Sequence, residues 1–554
     1  MKPFRIIAPI VVTTSCWCAT ASMGQVVRWP ELHPYQAAVF DAAAVRIDDQ
    51  HRAAIGELEL YARTQTLSLT TSEHGRWYAE GAERVCRIRV RSQGALAMEL
   101  LLEHVLVPPG ATLLLRGDDG RELAPMVSLD LPSSIHETSS PMVFADDIVL
   151  EYREPFDAAF EGRFSIQGVA HAYRYVDGIQ REGTCHVNVA CEPESIGWED
   201  VIKATVRISV VTPEGNGWCT GTLVNNVRQD CAPFILSAFH CGRTSTAAQF
   251  NQYKFYFNFQ YATCTGGAYS TAQFLTGAER VAYSNDYAPN LGGLGGSDFM
   301  LLRTTAAIPD QFQPYWAGWD ATNISAVTAD GVCIHHPTGA PKRISSYTQT
   351  LTTGHPMASS GLMSHYKAKW AATSNGHGVT EFGSSGAGLF KPNTANGPLL
   401  IGTLTGSSAG MTCVNNTGTA YFGKMSYHWT NNPNTAAIKL KPWLDPDATG
   451  TLVLAGSPAP CAAAAHVATQ ATTSHLRVFP NPSTGVIGVE LPAALVRGAE
   501  LRLIDLAGRV VLQRSIPTTA EFITIDAAHL PDGPYTLSAL GTNLHLTAPI
   551  SLQH

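Results

Sequence analysis

The stretch CTGTLVNNVRQDCAPFILSAFHC, from Cys219 to Cys241, sets two short apolar runs on either side of a polar turn and ends on His240 and Cys241. Apolar runs bounded by Asn, Asp and Pro predict strands. A disulfide between Cys219 and Cys241 would cross-link them and hold His240 at a rigid strand end, the anchorage that catalytic geometry needs. A single histidine beside a strand is more often structural than catalytic, so residues elsewhere in the chain decide its role.

Outward from this stretch, the region from about residue 180 to 456 is rich in Gly, Ser, Thr and aromatic residues, with strand patterns such as ATVRISVVT (204–212) divided by long loops. No regular repeat of roughly 20 to 50 residues runs through it, which disfavours a solenoid or propeller. Two packed β-barrels are the expected architecture. Short helical signals gather near AAIKLKPWLDP (436–446), which closes the region.

Amide hydrolysis by a serine needs a hydroxyl, a neutral imidazole to take its proton and a carboxylate to hold the imidazole's tautomer. It also needs N–H groups aimed at the developing oxyanion, each worth about 3 to 4 kcal/mol. EFGSSGAGLF (381–390) has the pattern for both nucleophile and cradle. Gly383 can take backbone angles barred to other residues, and Ser385 would sit beside the N–H groups of Gly383 and Ser385. Alone the motif is weak, because most glycine-flanked serines are turns. GGSDFMLLR (295–303) adds Asp298 just before an apolar strand, where it is either an ordinary strand-start acid or a carboxylate turned towards a histidine. The chain order is then His240, Asp298, Ser385.

The whole chain has 554 residues, 45% hydrophobic and 15% charged, with 48 Gly and 33 Pro. This is the composition of an ordered, turn-rich, β-dominated protein of several domains. A net charge of -8 without any basic block argues against a nucleic-acid partner. The start, MKPFRIIAPIVVTTSCWCATASMGQ, combines Lys2 and Arg5 with an apolar stretch and small residues at 19–21, and predicts a secretory signal peptide over 1–24. No later segment has the roughly 18 uninterrupted apolar residues of a membrane span. Ten cysteines remain beyond the leader, eight of them from Cys185 to Cys413. In an exported chain these predict disulfides.

Residues 25–179 alternate apolar and polar residues in short runs such as RVCRIRVRS and DDIVLEYREP, with some helix near HPYQAAVFDAAAVRIDD. A β-rich pro-region is the first reading, an independent binding module the competitor. Residues 457–475 form a low-complexity linker. Residues 476–554 carry short period-two strands split by Pro and Gly turns, and predict a small β-sandwich.

The motifs GWCTGTLVNN, LSAFHC, SDFMLL, WAGWD, CIHHPTGAPKRIS and GVTEFGSSGAGLF closely resemble the lysyl endopeptidases of the trypsin-like, chymotrypsin-fold class, over about 180–450. The resemblance implies a double β-barrel with His240 as general base, Asp298 as its orienting partner and Ser385 as nucleophile. It also implies the pairs Cys185 with Cys413, Cys191 with Cys264 and Cys219 with Cys241. Cys231 and Cys333 lie outside that set, and a further bridge between them is expected. His335 and His336 belong to the family motif, and no metal-ligand array or cofactor is expected. FPNPSTG, LIDLAGRVV and LPDGPYTL resemble the type A sorting domain of the type IX secretion system. That implies passage through the periplasm and outer membrane, with release or attachment at the cell surface. The expected partners are protein or peptide substrates and the secretion machinery, for a monomeric enzyme.

One departure from the resemblance bears on specificity. The lysine-selecting enzymes carry an aspartate shortly before the final barrel strand, and a stacked histidine and tryptophan at the pocket wall. Here Thr419, Ala420 and Tyr421 stand where the acid should lie, Thr405 takes the histidine's place, and no Trp lies around Met357. A pocket walled by Val379, Thr380, Thr405, Gly406 and Ala420 cannot offset the desolvation of a lysine ammonium, which costs several kcal/mol. The expectation is a secreted serine endopeptidase that has lost lysine preference and is activated by a cut near Arg181. The rival is a surface-displayed binding protein on an inert scaffold, and an esterase differs only in substrate.

Overall fold

The computed structural model describes residues 31–54, 57–126, 137–174, 182–284, 296–323, 330–356, 363–393, 395–408, 411–432, 434–461, 477–479, 481–490, 500–505, 509–516, 522–540 and 545–553. Two compact units divide the chain, Met1–Ala459 and Pro460–His554. The leader, the region around Met357 and the expected processing bond at Arg181 lie outside the described residues.

Chymotrypsin-like double-barrel architecture accounts for the centre of the first unit. In the first barrel Thr205–Thr212 pairs antiparallel with Gly215–Val224, which pairs with Phe234–Ser237; Met300–Thr304 and Ala278–Tyr283 continue the wall. Each residue of Thr205–Thr212 and Gly215–Val224 is buried, so these strands are covered on both faces. The second barrel is built from Arg343–Tyr347, Gly331–His335, Gly388–Lys391, Leu399–Ser407, Ala420–Lys424 and His365–Ala368, hydrogen-bonded in that order. Phe299, Leu301, Trp319, Ile334, Phe390 and Trp429, drawn from both barrels, pack into one core. The short helical turns of Ala436–Ile438 and Lys441–Leu444 sit where the sequence signals them.

The N-terminal region is β-rich, with one helix among its described residues, Ala42–Ala54. Its strand Leu60–Thr70 pairs on one side with Arg163–Ala172 and on the other with the start of Gly215–Val224. A continuous sheet therefore runs from this region into the first barrel. Tyr61, Ala170, Trp218, Tyr256 and Phe259 pack together at the join. An ion pair is buried there as well: Lys254 donates to Glu99 at 2.6 Å, with side chains 0% and 1% exposed, and to Ser139 Oγ at 2.5 Å.

The second unit carries two small antiparallel sheets, one through Val486–Glu490 and one through Glu500–Ile504. Ile487, Leu501, Leu503, Ile525, Leu537 and Ile550 form its core. Phe522–Asp526 alternates exposed and buried residues throughout, as the period-two reading predicts.

The cystines of Cys185 with Cys413, Cys191 with Cys264 and Cys219 with Cys241 are present. The expected bridge between Cys231 and Cys333 is not. Cys333 is a free, fully buried thiol among Leu389, Ile401 and Phe422, where burial pushes its pKa well up. Cys231 and Cys461 are both disulfide-bonded. A cysteine inside a barrel strand is a small hydrophobe, available to packing as well as to oxidation.

Candidate active site

His240 lies in the one-turn 3-10 helix Phe239–Gly242 that follows the Phe234–Ser237 strand, tied to the neighbouring strand through Cys241 and Cys219. Asp298 stands just before Met300–Thr304, the next strand of the wall. Its φ of 53° is left-handed, which a short polar side chain tolerates better than most. This twist turns the carboxylate inward, where it is 3% exposed. One oxygen, Oδ2, meets His240 Nδ1 at 2.8 Å, and the other, Oδ1, accepts the His240 backbone N–H at 2.9 Å. With Nδ1 carrying the proton that the carboxylate accepts, Nε2 is left as the free base. Burial lowers the imidazole's pKa, but the charge and hydrogen bond of Asp298 outweigh it, so the net shift is upward.

Ser385 sits on the turn between the two barrels, half-buried. Its carbonyl accepts Thr220 N–H at 2.8 Å, and Thr220 Oγ1 donates to Gly383 O at 2.9 Å. The turn is thus docked on the Gly215–Val224 strand. Cys241 Sγ lies 3.9 Å from Ser385 O, which places the serine beside the His240 turn. Glycine is required on both sides. Gly383 has φ 85° and a Cβ there would lie 2.7 Å from His336 O; Gly386 has φ 82° and its Cβ would lie 2.2 Å from Ser237 Oγ. No hydrogen bond joins Ser385 to His240 among the described residues. The amides of Gly383 and Ser385 likewise take no partner among them, so both N–H groups remain available to an oxyanion. A catalytic serine and its base commonly close up only around substrate.

His335, which the sequence places in the family motif without a partner, braces the Ser384 turn. It is fully buried, with Nδ1 2.8 Å from Ser384 Oγ and Nε2 2.9 Å from Ser345 Oγ. Burial holds its pKa well below the usual range, so a neutral imidazole pins the residue before the candidate nucleophile. His336 bonds the Ala340 carbonyl through Nδ1 at 2.8 Å, and burial lowers its pKa too. The signal for both was a pair of histidines continuing an otherwise apolar strand. Cys185, His186 and Cys413 lie within metal-ligand distance of one another, but the two sulfurs are bonded together and offer no thiolate.

On the pocket side, Val379 and Ala420 are fully buried in the same core cluster, and Thr380 Oγ1 meets Ser407 Oγ at 2.7 Å. Gly406 is half-buried on the same strand. Thr405 turns to another partner, His365, whose Nε2 lies 3.0 Å from its hydroxyl. Glu381, which follows Thr380 in the sequence, is engaged with His186 at 3.0 Å.

Two antiparallel barrels thus bring together a histidine clasped by an aspartate and a turn that carries a glycine-flanked serine. Residues 179–423 match the lysyl endopeptidase C-terminal domain family, and residues 477–550 match the secretion system C-terminal sorting domain family. A lysyl endopeptidase of Pseudomonas aeruginosa is 27% identical over 350 residues, 60% of this chain and 70% of that protein. Among solved structures, the protease Anisep from Arthrobacter nicotinovorans is 15% identical with a TM-score of 0.29, covering 41% of this chain and 91% of its own. A thermostable serine protease from an extremophilic microorganism is 16% identical with a TM-score of 0.28, covering 40% and 91%. The chain is lysyl endopeptidase-like in its centre and ends in a secretion sorting domain, which marks a secreted or cell-surface protein. Among the described residues no helix is long and apolar enough to cross a membrane.

Proposed function

We propose that the protein is a secreted serine endopeptidase that works through an acyl-enzyme. The observation that carries this reading is the double clasp of His240 by Asp298, 2.8 and 2.9 Å, at a strand end beside the Ser385 turn. Ser385 Oγ attacks the scissile carbonyl while His240 Nε2 takes its proton, and Asp298 steadies the imidazolium. The tetrahedral oxyanion is met by the N–H groups of Gly383 and Ser385. His240 returns the proton to the departing amine. It then deprotonates a water that attacks the acyl ester, releasing the acid and restoring Ser385.

The pocket of Val379, Thr380, Thr405, Gly406 and Ala420 takes an uncharged side chain, because none of these five residues brings a carboxylate to meet an ammonium. The precursor comprises a signal peptide (1–24), a pro-region (25–179) removed by a cut near Arg181, the protease domain (180–456), a linker (457–475) and the sorting domain (476–554), exported through the periplasm and outer membrane. A fluorophosphonate probe tests the chemistry. The processed protein is expected to be labelled on Ser385 and the Ser385→Ala variant to stay blank. Failure of the processed protein to react favours the binding-scaffold reading. Cleavage-site profiling with a peptide library tests the pocket, and a strong preference for lysine overturns it.

A further inference from the structure

The first barrel offers one edge of the Gly215–Val224 strand beside the candidate site, and the N-terminal region occupies it. Gly215 pairs with Arg63, Asn216 with Ala62 and Gly217 with Leu60, antiparallel. The barrel strand runs towards the Cys219–Cys241 bridge and His240. The N-terminal segment therefore runs away from His240, from Glu57 towards Arg63, in the direction a peptide's leaving half takes from the scissile bond. Strand addition of this kind gives affinity through main-chain bonds and selectivity through side-chain contacts.

Three such contacts are present. Glu57 pairs with Arg243 Nη2 at 3.1 Å, three residues after His240. Leu58 packs against the cluster containing both Cys219 and Cys241. Tyr61 stacks on Trp218 with ring centroids 4.4 Å apart and meets Ser209 Oγ at 2.7 Å. Between segment and site lies a small cleft lined by Glu59, Leu60, Tyr61, Trp218, Thr338 and Gly383, which brings the segment to one of the candidate oxyanion residues. The buried indole N–H of Trp218 has no acceptor among the described residues.

We infer that Glu57–Tyr61 is an internal ligand of the leaving-group side of the cleft, and that Arg243 and Trp218 are specificity-determining residues of that side. Arg243 selects an acidic residue next to the scissile bond. The disulfide face takes an aliphatic residue after it, and Trp218 an aromatic one four positions beyond the acid. The substrate class is a peptide whose leaving half is acidic, then aliphatic, then aromatic. The inference rests on the serine protease reading, and its test has one arm that needs no catalysis.

In the uncut full chain, the double variant Leu58→Asp, Tyr61→Ala is expected to hydrolyse peptides with long leaving segments at least tenfold faster than wild type. Hydrolysis of a p-nitroanilide, which has no leaving segment, should stay unchanged. With that variant, Glu over Lys at the acidic position is expected to favour cleavage tenfold, and adding Arg243→Glu should invert the ratio. The second arm uses the same double variant with Ser385→Ala, and reads fluorescence polarisation of a labelled peptide copying Glu57–Arg63. Binding weakened at least tenfold by Arg243→Glu and restored when the peptide carries Glu57→Arg supports the inference. Absence of binding, or binding indifferent to Arg243→Glu, overturns it. If no variant reacts with a fluorophosphonate, the protease reading falls and the polarisation arm still decides whether this edge is the segment's site.

Discussion

The two barrels treat their histidines in opposite ways. His240, on the first, is half-buried and faces a carboxylate, so its pKa is raised. His335, His365 and His428, in the second, are fully buried and bonded to hydroxyls, and burial lowers their pKa, that of His428 to about 3. His428 Nε2 reaches Thr403 Oγ1 at 3.0 Å, much as His365 reaches Thr405. In the proposed mechanism the first imidazole changes its charge during the reaction. The others are placed never to do so, and serve as rigid neutral struts. Residue type therefore says little about role until the partner is known: a carboxylate makes a base, a hydroxyl makes a brace.

Asp298→Asn attacks the contrast at its strongest point. Activity is expected to fall by about 10⁴-fold, because an amide no longer fixes the tautomer that leaves Nε2 free. The wild-type kcat/KM should be lost as pH falls through a value above 6.5, the ordinary histidine value, since only neutral His240 accepts the proton. In whatever activity Asp298→Asn retains, that acid limb should shift to lower pH. An unmoved limb would mean that His240 is not the titrating base.

His335→Leu asks whether a brace matters to chemistry. It strands the Ser345 hydroxyl, an unmet group costing about 1–3 kcal/mol, and leaves Ser384 Oγ with only the Glu381 N–H, at 3.3 Å. Loosening the Gly383–Ser385 turn should cost about 10²-fold in kcat, of the order of one lost oxyanion donor. KM should barely move and the acid limb should stay where it was. Glutamine at the same position can bond a hydroxyl and should recover part of the loss.

Acidification supplies the mildest test. A histidine held neutral by the fold binds its proton more readily when unfolded, so its contribution is present above about pH 6.5 and lost as pH falls below it. For His428 the loss continues to about pH 3. Chemical denaturation across that range should show unfolding free energy falling by about 1.4 kcal/mol per pH unit for each such group. His428→Phe should flatten the slope by one group. A wild-type slope of zero would show that these imidazoles are not shielded.

Much of the candidate site's local structure was legible because it is carried by short local patterns. The Cys219 to Cys241 stretch contains strand, turn, base and cross-link, and the glycines around Ser385 are demanded by positive φ at positions 383 and 386. What stayed hidden is long-range. Nothing local marks His335 as the partner of Ser384, 49 residues away, or His365 as the neighbour of Thr405, 40 away. Strands buried on both faces, such as Thr205–Thr212, lose the alternation that betrays a surface strand. The sandwich strand Phe522–Asp526, wet on one face, keeps it. Cys333 misled for a related reason, since a thiol in an apolar strand looks the same whether it will be oxidised or simply packed.

In the proposed precursor the salt link between Lys254 and Glu99 would have a kinetic meaning. Severing the backbone near Arg181 would turn a tether into a non-covalent complex without opening the cleft. Departure of the N-terminal portion must then strand a cation at 0% exposure until water reaches it, and unmaking such a pair by removing one partner costs about 3–5 kcal/mol. Scission and onset of proteolysis would thus be separate events, with the dissociation rate of the severed portion setting the delay.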